Sequence, residues 1–373
     1  MKHLLLVFCC LYILSCNAPS YNAWVQNSPD KWPQIAMINE VWYQNGEQYV
    51  HPSFAYAGSG FLLNYQQKTY AVTAKHVLWI ATPKEMKVVN PTPYLERWIM
   101  HPKGNLADSV RIDRLINTDP TEQLYGEQSI QQRDWLVFSV QSASPNIRAL
   151  TPSFRQLVAG ESLYYAGCPY EETDCLIGRA KVLSARGNRI VFSIDDPDAK
   201  VNGASGSPLI DSLGYVVGIL SGTSVNPNDG SPAFYGLSTH YLQKVFSDDP
   251  NKNHPLLSLA DVLSDAIAAQ GVDSAIAAYH HLMQEEDVYF RYQVLPEEFL
   301  RVASDLMEED RSDDAIRILH LSLEDFYPFS RTHAMLGQIY KERGDTPAAK
   351  RALATALEYN PNNERAKELL ESL

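Results

Sequence analysis

Val201-Asn202-Gly203-Ala204-Ser205-Gly206-Ser207-Pro208-Leu209-Ile210 sets a serine between glycines at the tip of a tight loop, followed by a proline and a short apolar run with the look of a strand. A serine hydroxyl is a weak nucleophile at its own pKa. One that attacks therefore needs a nearby base, a group that orients the base, and backbone donors for the oxyanion that develops. Glycine, with no Cβ, adopts φ values that gather successive N–H groups into one concavity. The N–H groups of Gly203 and Ser205 are the natural oxyanion pair. Alone the loop does not decide, because glycine and serine are also ordinary turn residues.

Two upstream stretches lift it above a turn. Gly58-Ser59-Gly60-Phe61-Leu62-Leu63 and Tyr70-Ala71-Val72-Thr73-Ala74-Lys75-His76-Val77-Leu78 flank Asn64-Tyr65-Gln66-Gln67-Lys68, a hairpin that delivers His76 just past a strand end. Arg133-Asp134-Trp135-Leu136-Val137-Phe138-Ser139-Val140 places an acid just before an apolar strand. The order is His, Asp, Ser. Ser205 is then the nucleophile, His76 its general base and Asp134 the orienter. Asp108, Asp113 and Asp119 rival Asp134 for that role, but only Asp134 directly precedes a long apolar strand.

These three segments resemble the trypsin-like serine endopeptidases of chymotrypsin fold, in particular the bacterial, disulfide-poor branch whose nucleophile loop ends Ser-Gly-Ser-Pro. The resemblance spans residues 34–247. It implies two six-stranded β-barrels with the cleft between them, peptide hydrolysis through an acyl-enzyme, and no cofactor. It also implies that Ser221-Gly222-Thr223 is an edge strand that hydrogen-bonds extended substrate backbone. Ala199 lies where trypsin-type relatives carry an acid, and Leu220 where glutamate-cleaving relatives carry a histidine. Both departures argue against a strong Arg/Lys or Glu preference and leave a small or apolar residue before the cut as the expectation.

The formal net charge of −13, with no clustered Lys and Arg, excludes nucleic acid as the expected partner. Met1-Lys2-His3, the apolar run Leu4 to Leu14 and Ser15-Cys16 read as a secretory signal over residues 1–15, too short to span a bilayer. Ile13-Leu14-Ser15-Cys16 resembles the lipobox of bacterial lipoproteins, which implies a lipid on Cys16 as the only membrane attachment and an envelope location on the periplasmic or outer-surface face. Plain secretion is the alternative. Residues 16–33 are polar and proline-punctuated and read as a tether. With Cys9 and Cys10 in the signal, Cys168 and Cys175 are the thiols of the body. An envelope compartment permits a bridge between them, and that is expected over two free thiols. No metal site is expected, since no histidine lies at ligand spacing.

Short strands with turn signals are expected at Ile35–Tyr43, Phe54–Ala57, Gly60–Leu63, Tyr70–Thr73, Trp98–His101, Val110–Ile116 and Trp135–Val140. They recur at Ser162–Ala166, Leu176–Ser184, Arg189–Ile194, Pro208–Ile210, Tyr215–Leu220 and Phe234–Leu237, and a closing helix is expected over Thr239–Phe246. Beyond residue 255 the pattern turns alanine- and leucine-rich with a period near 3.6. Leu336-Gly337, Tyr340, Gly344, Ala349, Leu353, Ala356 and Pro361 fall on the spacing of a tetratricopeptide repeat, and a 34-residue shift sets Ala315 under Ala349, Leu319 under Leu353 and Leu306 under Tyr340. Residues 256–373 are therefore expected to be an all-α tetratricopeptide-like array that binds substrate or partner proteins. The whole reads as a multidomain protein whose substrates are proteins or peptides. The rival reading is a scaffold on a protease fold without turnover, and an esterase is the third.

Overall fold

A computed structural model describes residues 22–48, 55–81, 85–124, 133–186, 188–226, 231–248, 256–285, 288–326, 329–361 and 363–373. The expected signal and Cys16 lie outside the described residues.

One strand of the first half shows inward and outward residues in turn. In Val110–Leu115, Val110, Ile112 and Leu115 are buried while Arg111, Asp113 and Arg114 face solvent, the period of a sheet with one wet face. The strands are β1 (Met37–Tyr43), β2 (Ser59–Tyr65), β3 (Lys68–Thr73), β4 (Val88–Val89), β5 (Leu95–His101), β6 (Val110–Leu115), β7 (Asp119–Gln123), β8 (Leu136–Ala143) and β9 (Ala149–Leu150). Six of them run in the order β1-β5-β6-β8-β3-β2, and the pairing of Met37 with Gly60 and Ile38 with Ser59 closes the barrel. β9 is added in parallel to β2, and β4 with β7 forms a separate two-stranded ribbon.

The second half repeats the device. β10 (Ser162–Gly167), β11 (Leu176–Arg186), β12 (Arg189–Ile194), β13 (Pro208–Asp211), β14 (Val216–Val225) and β15 (Pro232–Ser238) close in the order β10-β11-β12-β15-β14-β13. Leu163, Tyr165, Val182, Ile190, Phe192, Leu209 and Val217 fill this barrel. Ala166, Ile210, Ile219 and Leu237 instead join the cluster of Phe61, Leu63 and Val72, so the two barrels share a dry seam. The helix α1 (His240–Phe246) leaves the second barrel and packs on the first, its Phe246 ring 4.6 Å from both Tyr65 and Tyr70. The expectation of two six-stranded antiparallel barrels is met.

Two local expectations are not. Residues 55–57 are bends, with Phe54 outside the described residues. The Asn39 side-chain amide shares its two N–H groups among the carbonyls of Ala57, Gly58 and Ser59, at 2.8, 3.2 and 3.1 Å, and the Asn39 backbone bonds Gly58 O and Ala57 N–H, so the bends are held against β1 without a strand of their own. Residues 22–32 of the expected tether do not run free. Trp24 and Trp32 meet edge to face, Trp32 lies 4.8 Å from Tyr164, and Asn22 N–H donates to Leu213 O at 2.9 Å, which folds this stretch onto the second barrel. Polar, proline-punctuated composition hid two indoles with surface to bury.

Among the described residues eight helices follow: α2 (Leu259–Gln270), α3 (Val272–Leu282), α4 (Val288–Arg291), α5 (Pro296–Glu308), α6 (Ser312–Asp325), α7 (Ser330–Glu342), α8 (Thr346–Tyr359) and α9 (Glu364–Glu371). α7 begins 34 residues after α5, and α8 34 residues after α6. Ala315, Ala349, Leu319 and Leu353 occupy matching places and are fully buried. Small residues let paired helices approach, and a Cβ on Gly337 of α7 would lie 2.5 Å from Leu353 Cγ on α8. Among the described residues no helix is long and apolar enough to cross a membrane. Gly337→Val forces those helices apart and is expected to cost about 1–3 kcal/mol. Thermal unfolding followed by helical circular dichroism checks it, and an unchanged helical melt refutes the close approach.

Candidate active site

β3 ends at Thr73, and the chain turns at once into a 3₁₀ turn, Lys75–Trp79, that lifts His76 from the strand end. Asp134 stands two residues before β8, the neighbour of β3 in the sheet, with Thr73 paired to Leu136. That register brings the acid beneath the imidazole. Asp134 Oδ2 lies 2.7 Å from His76 Nδ1, and Asp134 Oδ1 accepts the His76 backbone N–H at 2.9 Å. Both carboxylate oxygens are thus committed to one residue. A donating Nδ1–H leaves Nε2 as the nitrogen with the free lone pair. The Asp134 side chain is wholly buried and the His76 ring 16% exposed, so the free nitrogen belongs to the wetter end of the pair.

Burial alone would lower the His76 pKa. The Asp134 charge and hydrogen bond outweigh it and hold the imidazole above its ordinary value of 6.5. The rivals are engaged elsewhere: Asp108 accepts from Ser144 and Asn146, Asp113 from Ser139, and Asp119 lies 3.9 Å from Arg133.

The Ser205 loop meets the first barrel across the seam at Ser59 and Gly58. Ser59 N–H donates to Ser205 O at 2.7 Å, and a Cβ on Gly58 would fall 2.8 Å from Ser205 O and 2.9 Å from the Val77 side chain, the residue after His76. Ser205 itself is half-buried. Gly206 has φ +91°, and a Cβ there would sit 2.1 Å from Ser59 O, so only glycine lets the loop come this close. The N–H groups of Gly203 and Ser205 donate to no protein acceptor among the described residues, while Ala204 N–H is used on Val201 O. Two backbone donors of the serine loop are therefore unspent.

β14 pairs with β15 through Gly222↔Tyr235 and Thr223↔Phe234, but β13 reaches only as far as Ile219. Among the described strands nothing pairs with Ser221-Gly222-Thr223 on the other side. The missing side chain at Gly222 matters, since the Tyr235 ring sits 3.0 Å from where its Cβ would be. Burial raises the Tyr235 hydroxyl, the Asp134 charge adds to that, and Arg189, 3.9 Å over the ring, partly offsets it. Cys168 and Cys175 are disulfide-bonded.

Residues 58–219 match the family model of a trypsin-like peptidase domain. The match takes in His76, Asp134 and Ser205. No match was found among the curated proteins. Among solved structures, an inactive serine-to-alanine mutant of Rv3671c from M. tuberculosis H37Rv is 14% identical and covers 57% of this chain and 88% of its own, with a TM-score of 0.35. A Glu endopeptidase in complex with MPD is 14% identical over 54% and 83%, TM-score 0.37. The HtrA-type protease AlgW with a decapeptide is 16% identical over 57% and 63%, TM-score 0.35. The fold assignment rests on the two closed barrels of this chain and their strand order.

Sequence reading passed over Lys75, one residue from His76. Its ammonium is fully buried and meets both carboxylate oxygens of Glu122, at 2.7 and 2.9 Å. A lysine inside an apolar strand end was a visible signal, but Glu122 lies in a stretch without periodicity and could not be paired with it. Glu122→Leu strands the ammonium and is expected to destabilise the barrels by about 3–5 kcal/mol, whereas Lys75→Met combined with Glu122→Leu recovers most of that loss. Denaturant midpoints of the two variants decide it: equal midpoints would mean the charge pair is not what the fold relies on.

Proposed function

We propose that the protein is a serine endopeptidase that cleaves peptide bonds through Ser205, His76 and Asp134. The observation that carries the reading is the pair of hydrogen bonds that Asp134 accepts from His76, together with a serine loop that has two unspent N–H donors. His76 Nε2 takes the Ser205 proton as Oγ attacks the carbonyl carbon. The oxyanion so formed rests against the N–H groups of Gly203 and Ser205. His76 then gives its proton to the leaving amine, and water repeats the sequence on the acyl-enzyme. Asp134 holds the tautomer and stabilises the imidazolium. Extended substrate lies along Ser221-Gly222-Thr223 as an added strand. No step calls for a cofactor.

The wider setting belongs to the same proposal. A signal over residues 1–15 and a lipid on Cys16 would hold the enzyme at a bacterial envelope membrane, with helices α2 to α9 as tetratricopeptide-like units that bring proteins to the cleft. The 34-residue spacing of helix starts and the buried alanines at matching places support the repeat reading.

A fluorophosphonate probe should label the purified protein, and Ser205→Ala should abolish labelling and peptide hydrolysis together. Wild type that is neither labelled nor active sinks the reading. The acid limb of kcat/KM should lie above pH 6.5, because the base works only when neutral and its pKa is raised. Asp134→Asn removes the charge that raises it, so the limb should move to lower pH while kcat falls on the order of 10⁴-fold. A limb that stays in place would take Asp134 out of the mechanism.

A further inference from the structure

The oxyanion donor at Gly203 belongs to a peptide that can in principle rotate, because glycine on one side imposes little restraint. In this protein both carbonyls that flank Gly203 are held. Asn202 O accepts the Tyr170 N–H at 2.7 Å. A trans amide points its C=O and N–H in opposite directions, so this bond turns the Gly203 N–H away from Tyr170 and leaves it free to meet an oxyanion. Gly203 O accepts the hydroxyl of Ser59 at 2.8 Å. The same hydroxyl oxygen accepts the Cys168 N–H at 2.9 Å, and Ser59 is entirely shielded from water.

Ser59 lies in the first barrel, while Cys168 and Tyr170 lie in the loop of the second barrel that the Cys168–Cys175 bond closes. That loop is braced in turn. Tyr56 donates to Cys168 O at 2.6 Å, Tyr170 donates to Tyr56 O at 3.0 Å, and the Lys103 ammonium donates to the carbonyls of Pro169 and Glu172. A Cβ at Gly203 would lie 2.9 Å from Tyr170 N and 3.0 Å from its Cγ, so loop and glycine are in contact.

We propose that Ser59 is the positioning residue of the oxyanion site: its hydroxyl, oriented by Cys168 N–H of the disulfide-closed loop, pins Gly203 from its carbonyl side, while Tyr170 N–H of the same loop pins the Asn202–Gly203 peptide that carries the oxyanion N–H. Ser59 touches no reacting atom. It acts through Gly203, and the disulfide acts through the loop that carries Cys168 and Tyr170. The inference rests on the peptidase reading and adds to it a reason why one buried hydroxyl spans both barrels.

The test is steady-state hydrolysis of a peptide substrate by the full chain, with the fluorophosphonate labelling rate measured alongside. Ser59→Ala removes the donor to Gly203 O and should lower kcat and the labelling rate about tenfold or more, with KM within about twofold and the acid-limb midpoint of His76 unmoved. If Ser59→Ala fails to fold, Cys175→Ser, which opens the loop and leaves Ser59 in place, should lower kcat in the same way with KM unchanged. An active wild type with a Ser59→Ala variant of equal kcat overturns the proposal, as does a kcat loss accompanied by a shifted midpoint, which would place the effect at His76. Wild type that neither hydrolyses nor labels overturns the peptidase reading, and this proposal with it.

Discussion

The two barrels meet backbone to backbone where Ser59 N–H donates to Ser205 O, and the geometry of the site descends from that bond. Ser59 begins β2, whose Gly60 pairs with Thr73 of β3, and Thr73 Oγ1 donates back to Ser59 O at 2.6 Å. Three residues after Thr73 comes His76. Across the sheet Thr73 pairs with Leu136 of β8, and two residues before Leu136 comes Asp134. A slip of one residue anywhere along β2, β3 or β8 would turn each strand's faces over and carry either the imidazole or the carboxylate away from the serine loop. The imidazole and carboxylate are thus placed by two strand registers, and the Ser205 backbone is tied to the same strands by one interbarrel hydrogen bond.

Such a seam is costly to build, because it buries polar groups that water would otherwise solvate. Asn39 shows how the cost is met. Its amide donates to carbonyls of Ala57 and Ser59 and to Thr73 Oγ1, while its oxygen accepts the Trp98 indole N–H at 3.0 Å. Lys75, the first residue of the His76 turn, and Glu122 meet the same requirement with charge. A polar network in which each member is satisfied is stiff, since any displacement leaves a buried donor or acceptor unpaired. Stiffness is useful here, for a donor aimed at a developing oxyanion contributes most when it need not reorganise.

Most of the barrel strands were legible because alternation and turn residues mark them locally: Arg189–Ile194 has the observed bounds, and Val110–Leu115 differs by one residue. β4, β7 and β9 were not, because two-residue strands and a strand with Pro120 carry no period to read. The loop around Ser205 was legible through its glycines, whose positive φ at Gly203 and Gly206 has a direct sequence correlate. Ser59 was quoted as part of a glycine-flanked motif, yet its task was invisible, because it depends on Cys168 and Gly203, 109 and 144 residues away. Asp134 could be ranked above its rivals only by the strand that follows it. Pairing of its two oxygens with one histidine is a tertiary fact.

The helical half was read from a different signal, and the contrast is physical. A repeat writes its packing twice, so Ala315 and Ala349 or Leu319 and Leu353 announce one another through spacing alone, whereas each contact in the seam occurs once. The hydrophobic clusters divide accordingly: those of the barrels draw on residues 24–246 and those of the helices on residues 259–373, and no cluster among the described residues draws on both. Ser205, His76, Asp134 and their supports are all held by contacts within residues 37–241. The helices build cores of their own, so the placement of these three residues is accounted for without them.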